Sequence, residues 1–182
     1  VIDKAVAATC TTSGKTEGKH CSVCNTVLVK QETVAALGHS FDENDRCTRC
    51  GYTYYKIWIN DVQVTTGNAS DVLGDLDEGA TVVYNEETNT LTLNNATVTK
   101  NKVAASDGRL AGLFTEQALN LELVGQNTII STQCCIIARG DLTISGTGSL
   151  EANGGYYAIS MYQADLTIHS GTITGTDIDV DQ

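Results

Sequence analysis

The 182-residue chain contains no proline, two Phe and one Trp, and only 18% of its residues are charged. No stretch approaches the length of a membrane span, which argues against membrane insertion. The opening "VIDKAVAATC" has no secretory apolar region, so the chain is expected to be a mature form or a piece of a larger protein. A basic face is also missing. Up to Tyr52 six Lys/Arg balance six Asp/Glu, and beyond it five Lys/Arg face sixteen Asp/Glu. Nucleic acid and anionic lipid are therefore excluded as partners.

What fills the sequence is Thr, Val, Ile, Leu, Asn, Ser and Gly, the palette of short β-strands joined by tight turns. The composition divides near Tyr52–Lys56. Five of the seven cysteines (Cys10, Cys21, Cys24, Cys47, Cys50) and His20 and His39 lie before that point. The first segment, residues 1–52, has few large apolar side chains, and so small a core calls for a covalent or metal staple.

Residues 53–182 repeat. "LTLNNATVT" from Leu91, "LELVGQNTI" from Leu121, "LTISGTGSL" from Leu142 and "LTIHSGTIT" from Leu166 align at spacings of 30, 21 and 24 residues. Between them lie "AGLF", "CCIIA" and "YYAISM". Period-two alternation puts Leu142 and Ile144 on one face, with Thr143 and Ser145 on the other. Self-similarity at this length is a solenoid signature. The expected fold is mainly β, a short right-handed parallel β-helix, with an ordinary β-sandwich as the alternative. Gly125, Gly146 and Gly171 are expected at the bends, and strands within about 57–87 are expected to cap the coil. Trp58 reads as core. Of Cys134 and Cys135, which alternate on a strand, one reads as core and the other as exposed or near a bend.

"HCSVCN" and "RCTRCG" are Cys-x-x-Cys turns followed by Asn or Gly, the form of a zinc knuckle. One reading joins Cys21, Cys24, Cys47 and Cys50 into a single site. A second takes Cys10, Cys21, Cys24 and His39 and leaves Cys47 and Cys50 for another role. Disulfides are the competing account in an oxidising medium. On each reading the element is a staple, because so small a segment cannot build the cleft a catalytic metal needs.

The stretch "ATCTTSGKTEGKHCSVCNTVLVKQETVAALGH", followed by "GHSFDENDRCTRCGY", resembles a repeat of large surface proteins of gut Firmicutes. "DVLGD…VVYNEETNTLTLNNATV" and "DLTISGTGSLEANGG…YYAI" are similar to β-helical domains labelled carbohydrate-binding in such proteins. The resemblance implies a zinc-ribbon-like module with Cys10, Cys21, Cys24 and His39 as one ligand set. It also implies a secreted or cell-surface setting within a larger surface protein, with polysaccharide or host glycan as partner.

For binding, Tyr156, Tyr157 and Tyr162 are the candidate ligand-stacking residues, since sugar C–H faces pair with aromatic planes. Acidic groups at Asp71, Asp75, Asp77 and Glu78, and at Asp177, Asp179 and Asp181, are calcium candidates beside structural zinc. A catalytic site is not expected. Arg109 and Arg139 have no paired-carboxylate motif beside them, and His169 reads as a surface residue. The expected function is therefore non-catalytic: a β-helix presenting a face for glycan binding or adhesion. The alternatives are a purely structural spacer of a larger adhesin and a degenerate pectin-lyase-like enzyme.

Overall fold

A computed structural model describes residues 1–74, 79–104 and 108–181, and every regular element among them is a β-strand. The chain divides into two compact units, Val1–Thr53 and Tyr54–Gln182.

The first unit contains β1 (Ile2–Asp3), β2 (Gly14–Lys15), β3 (Gly18–His20), β4 (Val27–Val29) and β5 (Thr33–Val34). Strands β1, β3 and β4 form an antiparallel sheet, and β2 pairs with β5. Such short strands need side-chain stitching. The Gln31 amide supplies some, donating to the carbonyls of Lys4 and Thr16 at 3.0 Å each. Hydrophobic burial supplies little, since only Cys10 and Cys47 among the unit's apolar residues are buried.

The second unit is a β-solenoid of about three turns. It begins with β6 (Tyr54–Ile59), β7 (Val62–Thr65), β8 (Thr81–Asn85), β9 (Thr90–Asn94), β10 (Thr97–Val98) and β11 (Lys102–Val103). The coils are β12 (Leu110–Thr115), β13 (Leu119–Val124) and β14 (Gln126–Ser131); then β15 (Cys134–Ala138), β16 (Leu142–Gly146) and β17 (Ser149–Gly154); then β18 (Tyr157–Tyr162), β19 (Leu166–Ile168) and β20 (Thr172–Gly175). Strand β21 (Ile178–Asp181) continues the coil by pairing in parallel with β18. Successive coils pair in parallel, whereas β6 and β8 pair antiparallel with β12 and β9 and cover the starting edges.

The register stacks like on like. Leu91, Leu121, Ile144 and Ile168 are partners from coil to coil, and so are Leu119, Leu142 and Leu166. Leu91, Leu121 and Ile144 are completely buried. The pairing of Leu121 with Ile144 corrects the sequence alignment, which set Leu121 against Leu142. A shift of two residues keeps the same face inward, so local periodicity alone could not detect it. Gly125, Gly146 and Gly171 do occupy bends, with φ of 66°, 110° and 93°. A Cβ at Gly146 would sit 2.2 Å from the Leu123 carbonyl oxygen, so the close approach of coils requires glycine there.

The sheet containing β6, β12, β15 and β18 has a second apolar layer on its outer face. Ala104, Ala111, Phe114, Cys134 and Ile137 form it, with Trp58 and Tyr157 packed against it. This corrects two expectations. Trp58 is half-buried outside the coil, stacked on Phe114 at 5.4 Å, and is absent from the inner core. Cys134 and Cys135 are both fully buried, because the outer layer covers Cys134 while Cys135 packs inside.

Candidate functional sites

A ladder of backbone hydrogen bonds in the first unit assembles a cluster of side chains able to hold a metal ion. The Leu37 and Gly38 N–H groups donate to the Thr9 and Cys10 carbonyls at 2.9 and 3.0 Å. On the other side, Thr48 N–H donates to Ser40 O at 2.9 Å. Residues 37–40 are thus held between the Cys10 segment and the second Cys-x-x-Cys turn. Arg49 tightens the arrangement by donating from Nη1 to Leu37 O and Gly38 O at 3.0 and 3.1 Å. Gly38 takes φ of 67°, which turns the chain so that His39 faces the cysteines.

The result is a group of Cys10, His39, Cys47 and Cys50 whose ligand atoms all lie within 4.8 Å of one another. Cys10 Sγ and Cys47 Sγ are 3.9 Å apart, and Cys50 Sγ lies 3.4 Å from His39 Nδ1. The His39 ring is fixed between Tyr52 at 4.9 Å and Phe41 at 5.5 Å. These residues can hold a metal ion. Neither expected quartet is the one assembled: Cys10 and His39 combine with Cys47 and Cys50, and Cys21 and Cys24 lie outside the group. The physical reason is the ladder, which carries Cys10 and His39 past the nearer turn to the farther one.

The thiols are electrostatically unequal. Burial, together with the neighbouring sulfurs of Cys50 and Cys47, pushes Cys10 up to about 11. Cys47 is also buried, which opposes its thiolate. Hydrogen bonds from the backbone at Ser40, Arg49 and Cys50 and from the His39 ring outweigh this and hold it at about 5. The site thus carries a ready thiolate at Cys47, while Cys10 must lose a proton to bind metal.

Cys21 and Cys24 sit at the surface of the same unit. The Thr26 hydroxyl, 3.2 Å from Cys24 Sγ, the Thr26 backbone and the Cys21 thiol lower Cys24 to about 7. His20 does not join these sulfurs in a ligand cluster; its Nδ1 pairs with Asp3 at 2.9 Å.

On the solenoid, the outward residues of β9, β13 and β16 align in polar rows. Thr90, Asn120 and Thr143 form one, and Thr92, Glu122 and Ser145 another. With Asn85 and Thr88 they line a shallow groove of about 370 Å³. Glu122 is fixed in it by accepting from Thr92 Oγ1 at 2.9 Å. The sequence pattern placed Thr143 and Ser145 on the polar face and did not single out the other lining residues. The signal available was the repeated Thr/Asn/Ser alternation.

The tyrosines do not form one stacking platform. Tyr156 is exposed and Tyr157 is half-buried against the outer apolar layer. Tyr162 has the Arg109 and Arg139 guanidiniums at 4.9 and 5.4 Å from its ring. Of the acidic candidates, Asp75, Asp77 and Glu78 lie outside the described residues, as does the Asp181 side chain. Asp71 accepts from Gly74 N–H at 3.0 Å; Asp177 precedes β21 and Asp179 lies within it. His169 is exposed, with its N–H donated to Ile144 O at 2.9 Å. No helix among the described residues is long and apolar enough to cross a membrane. No protein-family model, curated protein or solved structure matches the chain.

Proposed function

We propose that this is a non-catalytic, secreted or cell-surface protein whose solenoid binds polysaccharide or host glycan, and whose N-terminal unit is held by structural zinc. The observation that carries the glycan reading is the groove along β9, β13 and β16. Its hydroxyl, amide and carboxylate groups repeat at the strand spacing of about 4.8 Å on a rigid surface. Such pre-ordered donors and acceptors suit the hydroxyls of an extended sugar chain, because little side-chain entropy is lost on binding. Among the described residues, Glu122 is the one carboxylate lining the groove. Glycoside hydrolysis ordinarily uses two, about 5–9.5 Å apart, which favours binding over cleavage. The extracellular setting rests on the sequence resemblance.

The zinc reading rests on donor type and spacing. A tetrahedral ion with Zn–S near 2.3 Å and Zn–N near 2.0 Å puts sulfur–sulfur edges at about 3.8 Å and sulfur–nitrogen edges at about 3.5 Å. The distances of 3.9 and 3.4 Å match those edges. Three thiolates and an imidazole also disfavour calcium, which takes oxygen ligands. With all four positions filled by protein, such an ion is a staple with no open position for substrate.

A glycan array probed with the full chain, with and without calcium, tests the function. Binding to at least one polysaccharide is expected, with loss of at least tenfold in affinity for Asn120→Ala/Glu122→Ala. Binding lost instead in Tyr156→Ala would move the site to the tyrosine corner, and no binding to any glycan would leave the spacer reading.

A further inference from the structure

The first unit builds the same Cys-x-x-Cys turn twice, and only one copy has its other two ligands. In the closed cluster, Cys47 N–H donates to Tyr52 O at 2.7 Å and Gly51 N–H donates to Cys47 O at 2.8 Å. In the other turn, Cys21 N–H donates to Thr26 O at 2.9 Å and Asn25 N–H donates to Cys21 O at 2.9 Å. The bonds span the same sequence intervals. The residue after the second cysteine is left-handed in both, Gly51 at φ 76° and Asn25 at φ 54°. Among the described residues, no third Cys, His, Asp or Glu donor joins Cys21 and Cys24. A turn that aims two sulfurs at one point is therefore present with half of a tetrahedral set.

The surroundings of this turn are a second, independent observation. Val23, inside it, is 92% exposed. Val27 and Leu28 on β4, and Val1 and Ile2 at β1 of the same sheet, are each more than half exposed. Apolar side chains left in water beside one turn and on the sheet that follows it are a surface that another protein can cover. Solvent ligands completing the metal shell would leave them bare.

A second copy of the chain meets both requirements. It brings two more thiolates, giving the four-sulfur set that zinc-type ions accept. It also brings the same exposed apolar residues, so that a two-fold axis can place each set against its copy. The six positive and six negative side chains of the first unit cancel, so the net charge of −11 that each full chain brings comes from the solenoid and not from the unit that carries the turn. We propose that Cys21 and Cys24 are half of a second metal site, closing as a four-thiolate centre for a thiophilic divalent cation between two copies of the chain.

The test is to titrate the reduced, metal-free full chain with zinc or cobalt(II), following metal content and solution mass together. Three metal ions per two chains and a dimer are expected at saturation. Cys21→Ser/Cys24→Ser is expected to hold one ion per chain and remain a monomer. Val23→Asp/Leu28→Asp keeps every thiol and should weaken the metal-dependent association at least tenfold, with the first ion still bound. Saturation of the unaltered chain at one ion per chain would overturn the proposal. So would two ions on a monomer, or a dimer that survives loss of both thiols.

Discussion

The two units solve the same stability problem by different means. In the solenoid, Leu91, Leu121, Ile144, Leu119 and Leu142 stack on one another out of water, so each coil supplies the hydrophobic cover of the next. In the first unit, Val23, Val27, Leu28 and Leu37 remain exposed, and the buried apolar residues are Cys10 and Cys47 of the Cys/His cluster. A segment of about fifty residues has too little interior for a packed core, and on the proposed reading a metal ion held by Cys10, His39, Cys47 and Cys50 would gather its distant segments instead. Stability in the solenoid is accordingly spread over many contacts, whereas in the first unit a bound metal would concentrate it at one point.

The strongest way to break that contrast is chelation. Removing metal is expected to unfold residues 1–53 while leaving residues 54–182 folded, read by hydrogen exchange along the full chain. Protection lost in β9, β13 and β16 as well would mean that the units do not differ in this way. A smaller effect is expected within the solenoid. Leu121→Ala opens a cavity in a fully buried row and should lower solenoid stability by about 3 kcal/mol, read by denaturant titration. An effect below about 1 kcal/mol would mean that the coil collapses around the lost side chain.

The smallest effect is acidity. Cys10, at about 11, is a thiol at neutral pH, and its proton must leave before metal binds. Affinity should therefore fall as pH falls, by about tenfold per pH unit for this thiol alone between pH 8 and 6. The loss steepens as pH approaches about 5, where Cys47 also takes up a proton. A competition titration with a metal indicator checks this, and a flat profile would show that Cys10 is not a ligand. The solenoid core carries no comparable group in its Leu and Ile rows, so its stability should not follow the same curve.

Much of the solenoid is legible residue by residue. The Leu-x-Leu/Ile pattern and the glycines at 125, 146 and 171 specify coils and bends because each rests on a local property, side-chain alternation or access to positive φ. The exact pairing is less legible. Leu119, Leu121 and Leu123 are equally apolar and all face inward, so only the closure of the coil selects Ile144 as the partner of Leu121. The outer layer over Cys134 was equally hidden, since Ala104 and Phe114 reach it from different segments.

At the metal cluster the division is sharper. The sequence by itself determined the donors, the two Cys-x-x-Cys turns with their left-handed following residues, because these are set within a few bonds. Which turn receives Cys10 and His39 was decided only by tertiary structure, through hydrogen bonds from Leu37 and Gly38 to Thr9 and Cys10 and from Thr48 to Ser40. Donor identity is a property of side chains, whereas ligand pairing is a property of which backbones lie side by side.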